Sequence, residues 1–248
     1  MRYPALARLK DAETVCRGRF FFTIFVSTFI MRALSLIKYI AVILVAVNAK
    51  SLPLMWHARF IYYVVKHLYV LRFRRPSKQD LFKANNFVTH TPLMEIDMNL
   101  HKSNSTYFSD LDIARSDLLL HIFKDFFLHY RYRKGSWPFV PLGSVMTIFK
   151  REIAAYRPYR IRSRVLGWDQ KWLFVLSRFE FLDKNNTLAA VALSKYVFKH
   201  KRRTIPPEEA LALCGLDDEE LLKTGRLDFA HAQSMLDLEA ISDVRIEH

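Results

Sequence analysis

The stretch Glu95-Ile96-Asp97-Met98-Asn99-Leu100-His101-Lys102-Ser103-Asn104-Ser105-Thr106-Tyr107 decides how the rest of the chain is read. It sets a carboxylate, an amide and an imidazole on alternate positions, Asp97, Asn99 and His101, and then enters a helix. In an extended segment alternate side chains point the same way, so these three are expected to converge on one pocket. With Asn104 or Ser105 as N-cap, Tyr107, Leu111, Ile113, Leu118, Leu119, Ile122 and Phe123 recur at helical spacing. That pattern predicts a long buried helix running to about His129. Its first turn carries unpaired backbone N–H groups and the positive end of the helix dipole, next to the polar side chains.

Working outward, Phe87 to Met94 reads as a strand leading into this loop. After the helix, Gly135, Pro138, Pro141 and Gly143 mark the segment from Tyr130 to Gly143 as a loop. Four strand candidates follow, Val145 to Ala154, Tyr159 to Leu166, Lys171 to Leu182 and Thr187 to Lys199. The turn residues Asp183-Lys184-Asn185-Asn186 predict that the last two pair as an antiparallel hairpin. A strand, one long helix and then a meander imply an α+β fold in which an antiparallel sheet wraps around the helix. Arg160, Arg162 and Arg164 alternate with Ile161, Ser163 and Val165, which places the arginines on the solvated face of such a sheet. A sharper reading makes them, with Lys199, Lys201, Arg202 and Arg203, a docking strip for phosphates or lipid.

The first half of the chain is different in kind. From Phe20 to Val47 it is apolar apart from Arg32, Lys38 and a few small or hydroxyl residues, long enough to cross a bilayer. The span either covers Phe20 to Ala41, with the charges drawn to one edge, or starts near Lys38 and reaches Leu52. A cleaved signal peptide ending at Val47-Asn48-Ala49 is the competing reading, but the long basic leader and the interrupted apolar run favour a retained anchor. Leu52 to Arg75 mixes Trp56, Phe60, Ile61, Tyr62, Val65 and Leu68 with basic residues, as in a helix lying along lipid headgroups or packed on the domain. Pro76 to Asp80 reads as a linker, and from Pro206 the balance turns acidic, with Pro206-Pro207-Glu208-Glu209 suited to a helix start.

The expected layout is therefore a leader and anchor over residues 1–50, an amphipathic helix and linker over 51–84, the α+β domain over 85–203 and an acidic helical tail over 204–248. A formal net charge of +14 attracts anionic lipid or phosphate-bearing carriers, and nothing in the chain has the spacing of a nucleic-acid reader. Cys16 and Cys214, one before the apolar run and one beyond the expected core, supply neither a disulfide framework nor a metal site. No cofactor and no metal are expected.

The run D-x-N-x-H-x-x-N, formed by Asp97, Asn99, His101 and Asn104 and followed by Tyr107, resembles the signature loop of hot-dog-fold acyl thioesterases of the plant acyl-carrier-protein and 4-hydroxybenzoyl-CoA types. The segment from Tyr156 to Asp169 looks like the second strand pair of their membrane-anchored branch, thioesterase superfamily member six. The resemblance covers roughly residues 85 to 203 and departs at Lys102-Ser103, where the family often has a second asparagine and an apolar residue. It implies an acyl-CoA or other acyl thioester as substrate, a homodimer, and a single-pass location in the endoplasmic reticulum.

Hydrolysis of a thioester needs a base to activate water and donors to hold the oxyanion. Asp97 is the first choice for the base or, second, a direct nucleophile, with His101 sharing the base role and Asn99 orienting water or the carbonyl. Asn104, Ser105, Thr106 and Tyr107 form the substrate-binding helix start. Taken singly, each has an ordinary explanation: Asp97 and Asn99 as turn formers, His101 as a loop histidine, Asn104 as a helix cap. Two other function classes fit the same fold, a catalytically silent acyl-binding or scaffold protein and an enoyl-thioester hydratase. The hydratases usually place four residues between aspartate and histidine, against three between Asp97 and His101.

Overall fold

A computed structural model of the chain describes residues 27–228 and Ala232. Residues 1–52 and 53–248 form two separate compact units. In the first, helix α1 covers Ser27–Val47, 21 residues of mean hydropathy 2.2 with none of its apolar window buried. At about 1.5 Å per residue it is about 31 Å long, the thickness of a hydrocarbon core. It carries both Arg32 and Lys38. The alternative start at Phe20 lies outside the described residues. Asn48 closes the helix by donating its side-chain amide to the Leu44 carbonyl at 2.8 Å.

The second unit begins with α2, Met55–Val65, continued by a wider π-helical turn, Lys66–Val70. The expected linker is a short 3-10 helix, Lys78–Leu81, held by reciprocal capping between Ser77 and Asp80, with Leu81 fully buried. Strand β1 (Asn85–His90) leads to the central helix α3 (Asn104–Ile122), and α4 (Lys124–Arg133) follows. Then come β2 (Leu142–Phe149), β3 (Pro158–Trp168), β4 (Trp172–Phe181) and β5 (Leu188–His200), a short β6 (Arg203–Ile205), and helices α5 (Pro207–Leu213) and α6 (Glu219–Asp228). The sheet is antiparallel in the order β1-β3-β4-β5-β2, with β6 added on β5. This is the hot-dog arrangement expected from the sequence, the sheet wrapped on α3.

Registration explains the packing. Phe87, Ile161, Phe179, Ala190 and Phe149 fall opposite one another across β1, β3, β4, β5 and β2. Tyr107 of α3 packs on this row, 5.1 Å from the Phe179 ring and 5.0 Å from the Phe149 ring. One helix turn after another, Leu111, Leu118 and Ile122 continue the same buried face, which sets α3 along the sheet. All seven apolar residues expected on the helix are buried.

Three expectations shift. The central helix does not run unbroken to His129; it ends at Ile122, and Phe123 bends the chain before α4. The bend lets Phe123 reach the Phe198 ring at 4.8 Å, while Lys124 donates to the carbonyls of Leu71 and Arg74. The N-cap is Ser103, one residue earlier than Asn104. Cys214 lies inside the core with Trp168, Phe198 and Leu211, because α5 folds back against α4. The arginine row of β3 does face outward, but it is neutralised in part: Glu180 lies 3.2 Å from Arg160, 3.8 Å from Arg162 and 2.9 Å from Arg178.

Candidate active site

The loop before α3 is built by a tight reversal, not by an extended strand. A 3-10 turn, Leu93–Glu95, delivers the chain to Ile96, which bridges to Lys102. Within that bridge the Asp97 N–H donates to the His101 carbonyl at 2.9 Å and the Leu100 N–H donates to the Asp97 carbonyl at 3.1 Å. Leu100 takes the left-handed conformation, φ 63°, that closes the turn. Asp97 and His101 are therefore neighbours across a hairpin-like loop, with Asp97 Oδ1 3.6 Å from His101 Nδ1. Both are half-buried, whereas Asn99 is exposed at the tip. Its backbone N–H caps Asp97 Oδ1 at 2.9 Å. The alternation that predicted three converging side chains fails because the loop turns after two residues. Two of the three come together.

His101 also pairs with Ala154 of the segment after β2, and its Nε2 lies 3.5 Å from Glu152 Oε1. Glu152 is part of the lining of a solvent-open hollow of about 480 Å³, together with Lys150, Arg151, Arg157 and Asp183. A hollow with three cations against the two carboxylates of Glu152 and Asp183 thus adjoins the Asp97–His101 pair.

The helix start stands beside this loop. Ser103 donates its N–H to the Glu95 carbonyl at 2.8 Å, tying the N-cap to the strand side of the loop. Thr106 is engaged, its N–H on the Ser103 carbonyl at 2.9 Å and its hydroxyl on the carbonyls of Ser103 and Glu95 at 2.8 and 3.1 Å. Asn104 and Ser105 are exposed on the first turn, where backbone amides have no partner within the helix. Tyr107 lies beneath them in the core; burial, with the Glu152 charge second, pushes its phenol up to about 12.

Below the loop lies a charged cluster that sequence reasoning missed. Lys102 is 1% exposed and its Nζ sits 2.6 Å from Glu95 and 3.0 Å from Asp110. Asp110 also receives Arg59 of α2 at 3.2 Å and the Tyr159 hydroxyl. Burial, then the Asp110 charge, holds the Tyr159 phenol well above its usual range, so it stays a proton donor. The residue at which this chain departs from the resembling family, Lys102, is the hub that fixes the loop. The usable signal was the placement of Asp110, Arg115 and Asp117 in an otherwise apolar helix, since charges at buried helix positions require partners.

An antiparallel sheet wrapped around one long helix defines a hot-dog protein. The chain belongs to the thioesterase-like superfamily, whose family model matches residues 91–213. A probable thioesterase of Saccharomyces cerevisiae is 36% identical over 184 residues, 70% of this chain and 78% of that protein. The thioesterase poxG of Penicillium oxalicum is 37% identical over 225 residues, 75% of this chain and 73% of that protein. Protein THEM6 of Xenopus laevis matches at 27% identity over 161 residues, 62% of this chain and 70% of that protein. Among solved structures, the probable thioesterase YbaW of Escherichia coli aligns with TM-score 0.45 and 14% identity over 54% of this chain and 97% of that chain.

Proposed function

We propose that the chain is a membrane-anchored acyl-CoA thioesterase that uses Asp97 and His101 as its base. Water attacks the thioester carbonyl carbon while Asp97 takes its proton. The oxyanion forms against the amides of Asn104 and Ser105, where the helix dipole favours negative charge. The intermediate collapses by breaking the carbon–sulfur bond, and the proton passes by way of His101 to the leaving thiolate, giving a free acid and a free thiol. Asn99, exposed at the loop tip, orients the entering ester from the solvent side. The observation that carries this reading is the Asp97–His101 approach of 3.6 Å in a loop tied to the first turn of α3.

Other features support the finer parts. The hollow of Lys150, Arg151 and Arg157 offers charge for the phosphates of coenzyme A. Helix α1 has the length and hydropathy of a single membrane span, in keeping with residence in the endoplasmic reticulum. Strand β2 is an edge of the sheet and exposes Ile148 and Phe149, a surface suited to pairing with a second copy. The test is thiol release from a panel of acyl-CoAs by the full chain in lipid nanodiscs. Asp97→Ala is expected to lower kcat by about 100-fold or more. Equal turnover by the variant would remove Asp97 from the mechanism; binding without turnover in both proteins would leave a silent acyl-binding protein, and water addition to an enoyl-CoA without thiol release a hydratase.

A further inference from the structure

Helix α2 packs on the domain in an unusual manner. Arg59 reaches Asp110 at 3.2 Å and Lys66 reaches Asp117 at 3.0 Å, so two ion pairs anchor it along α3. Yet none of its 11 residues is buried, although Trp56, Phe60 and Val64 recur every fourth position and Leu68 continues the series. Val64 and Leu68 of that stripe pack with Leu120 of α3, and Phe60 packs on the cluster that holds Tyr107 and Leu111, so α2 and α3 touch along part of their length. Between them, with Leu119 and Leu120 on the α3 side and the loop around Trp137 closing one flank, lies a cavity of about 430 Å³.

We infer that this cavity is a chamber for one saturated aliphatic chain, the tail of the thioester. This deepens the hydrolase reading above and rests on it for the identity of the head group. Its lining carries no basic side chain, which disfavours a carboxylate or phosphate as the buried end. The one carboxylate present, Asp112, is already paired with the buried Arg115. Phe60, Val64, Leu68, Leu119 and Phe127 make its walls apolar.

The chamber also has a route to the helix start. Ser105, Ser109, Asp112 and Ser116 are spaced four, three and four residues apart and so share one face of α3. Ser105 and Ser109 are exposed, while Asp112 and Ser116 are half-buried and line the cavity. From Ser105 to Asp112 is seven residues, about 10 Å along the helix. A thioester held at the first turn therefore has a path along this face, past the Asp112–Arg115 pair, into the space beneath α2. On this reading α2 measures the chain.

Two measurements on the full chain in nanodiscs test the chamber. The first is the ratio of kcat/KM for tetradecanoyl-CoA over butanoyl-CoA, which is expected to favour the long chain and to fall by about tenfold or more in Ser116→Phe and in Val140→Trp, whose side chains fill the cavity. The second is photolabelling with a diazirine-bearing tetradecanol, mapped by peptide mass spectrometry. Label is expected on residues 112–120 and 137–142 and is expected to be lost in both variants, with unchanged circular dichroism showing that they fold. A flat chain-length profile, or label absent from both segments, overturns the chamber even if thiol release persists. Label at both segments that the variants abolish, without thiol release from any acyl-CoA, sustains the chamber and instead removes the hydrolase reading.

Discussion

Replacing Lys102 by methionine isolates the contribution of the buried charges beneath the loop. Methionine retains the length and much of the volume of the lysine stem, so little cavity is created and the change is chiefly the loss of one ammonium. That ammonium is 1% exposed and lies 2.6 Å from Glu95 and 3.0 Å from Asp110. Asp110 keeps Arg59 and Tyr159, whereas Glu95, 7% exposed, loses its cation. Removing one member of a buried pair costs about 3–5 kcal/mol, and the remaining partners of Asp110 place this case at about 3 kcal/mol. In a unit of this size each kcal/mol moves the melting temperature by about 2–4 °C, so a fall of about 6–12 °C is expected. The assay is thermal denaturation of the full chain in nanodiscs, read by near-ultraviolet circular dichroism. Adding Glu95→Gln should restore about 1 kcal/mol or more, because the carboxylate that needed the cation is gone. A melting temperature within about 2 °C of the parent, or a double variant that loses the sum of both single losses, would refute the reasoning.

Four further outcomes are expected. Burial, then the nearby His67, holds His121 below the usual imidazole value, so the folded state disfavours its proton; stability is full above about pH 6.5 and drains as pH falls through that point, and His121→Gln should flatten a urea-midpoint titration there. Asp117, kept ionised despite burial by hydrogen bonds from His67, Asn85 and Lys66, stays below its ordinary value, so its contribution is present above about pH 4 and is lost on further acidification, a second inflection that Asp117→Asn should remove. Gly143→Ala should cost about 1–3 kcal/mol in chemical denaturation, since a Cβ there would meet the Trp172 ring at 2.5 Å on the β2 edge. Cys214, its thiol pushed up to about 12 chiefly by burial, should resist iodoacetamide in the native protein and react after unfolding, as read by peptide mass mapping.

The order of elements was legible because each signal was local. The periodicity of Tyr107, Leu111, Leu118 and Ile122 and the turn at Asp183–Asn186 both arise within a few residues of chain, and both stand in the structure. The bend at Phe123 was not legible, because it answers to Phe198 and to the carbonyls of Leu71 and Arg74, groups about fifty to seventy-five residues away. The loop shows the same division. Its residue types were readable as polar and turn-forming, but alternation assumed an extended backbone, and the left-handed Leu100 reverses it. Lys102 departs from the family pattern in sequence yet is a matched charge in the fold, since its partners Asp110 and Glu95 meet it only through the packing of the loop onto α3.

The guanidinium of Arg59 gives the roof helix a direct hold on the loop. From Arg59 the charges alternate in sign through Asp110 and Lys102 to Glu95, each touching the next. Prising α2 away must first strip one cation from that file, which leaves Asp110 sharing the Lys102 ammonium with Glu95 and holding the Tyr159 hydroxyl. The roof and the loop thus share one file of charge, so a displacement of α2 reaches the turn at Asp97 through ion pairs and not through a hinge.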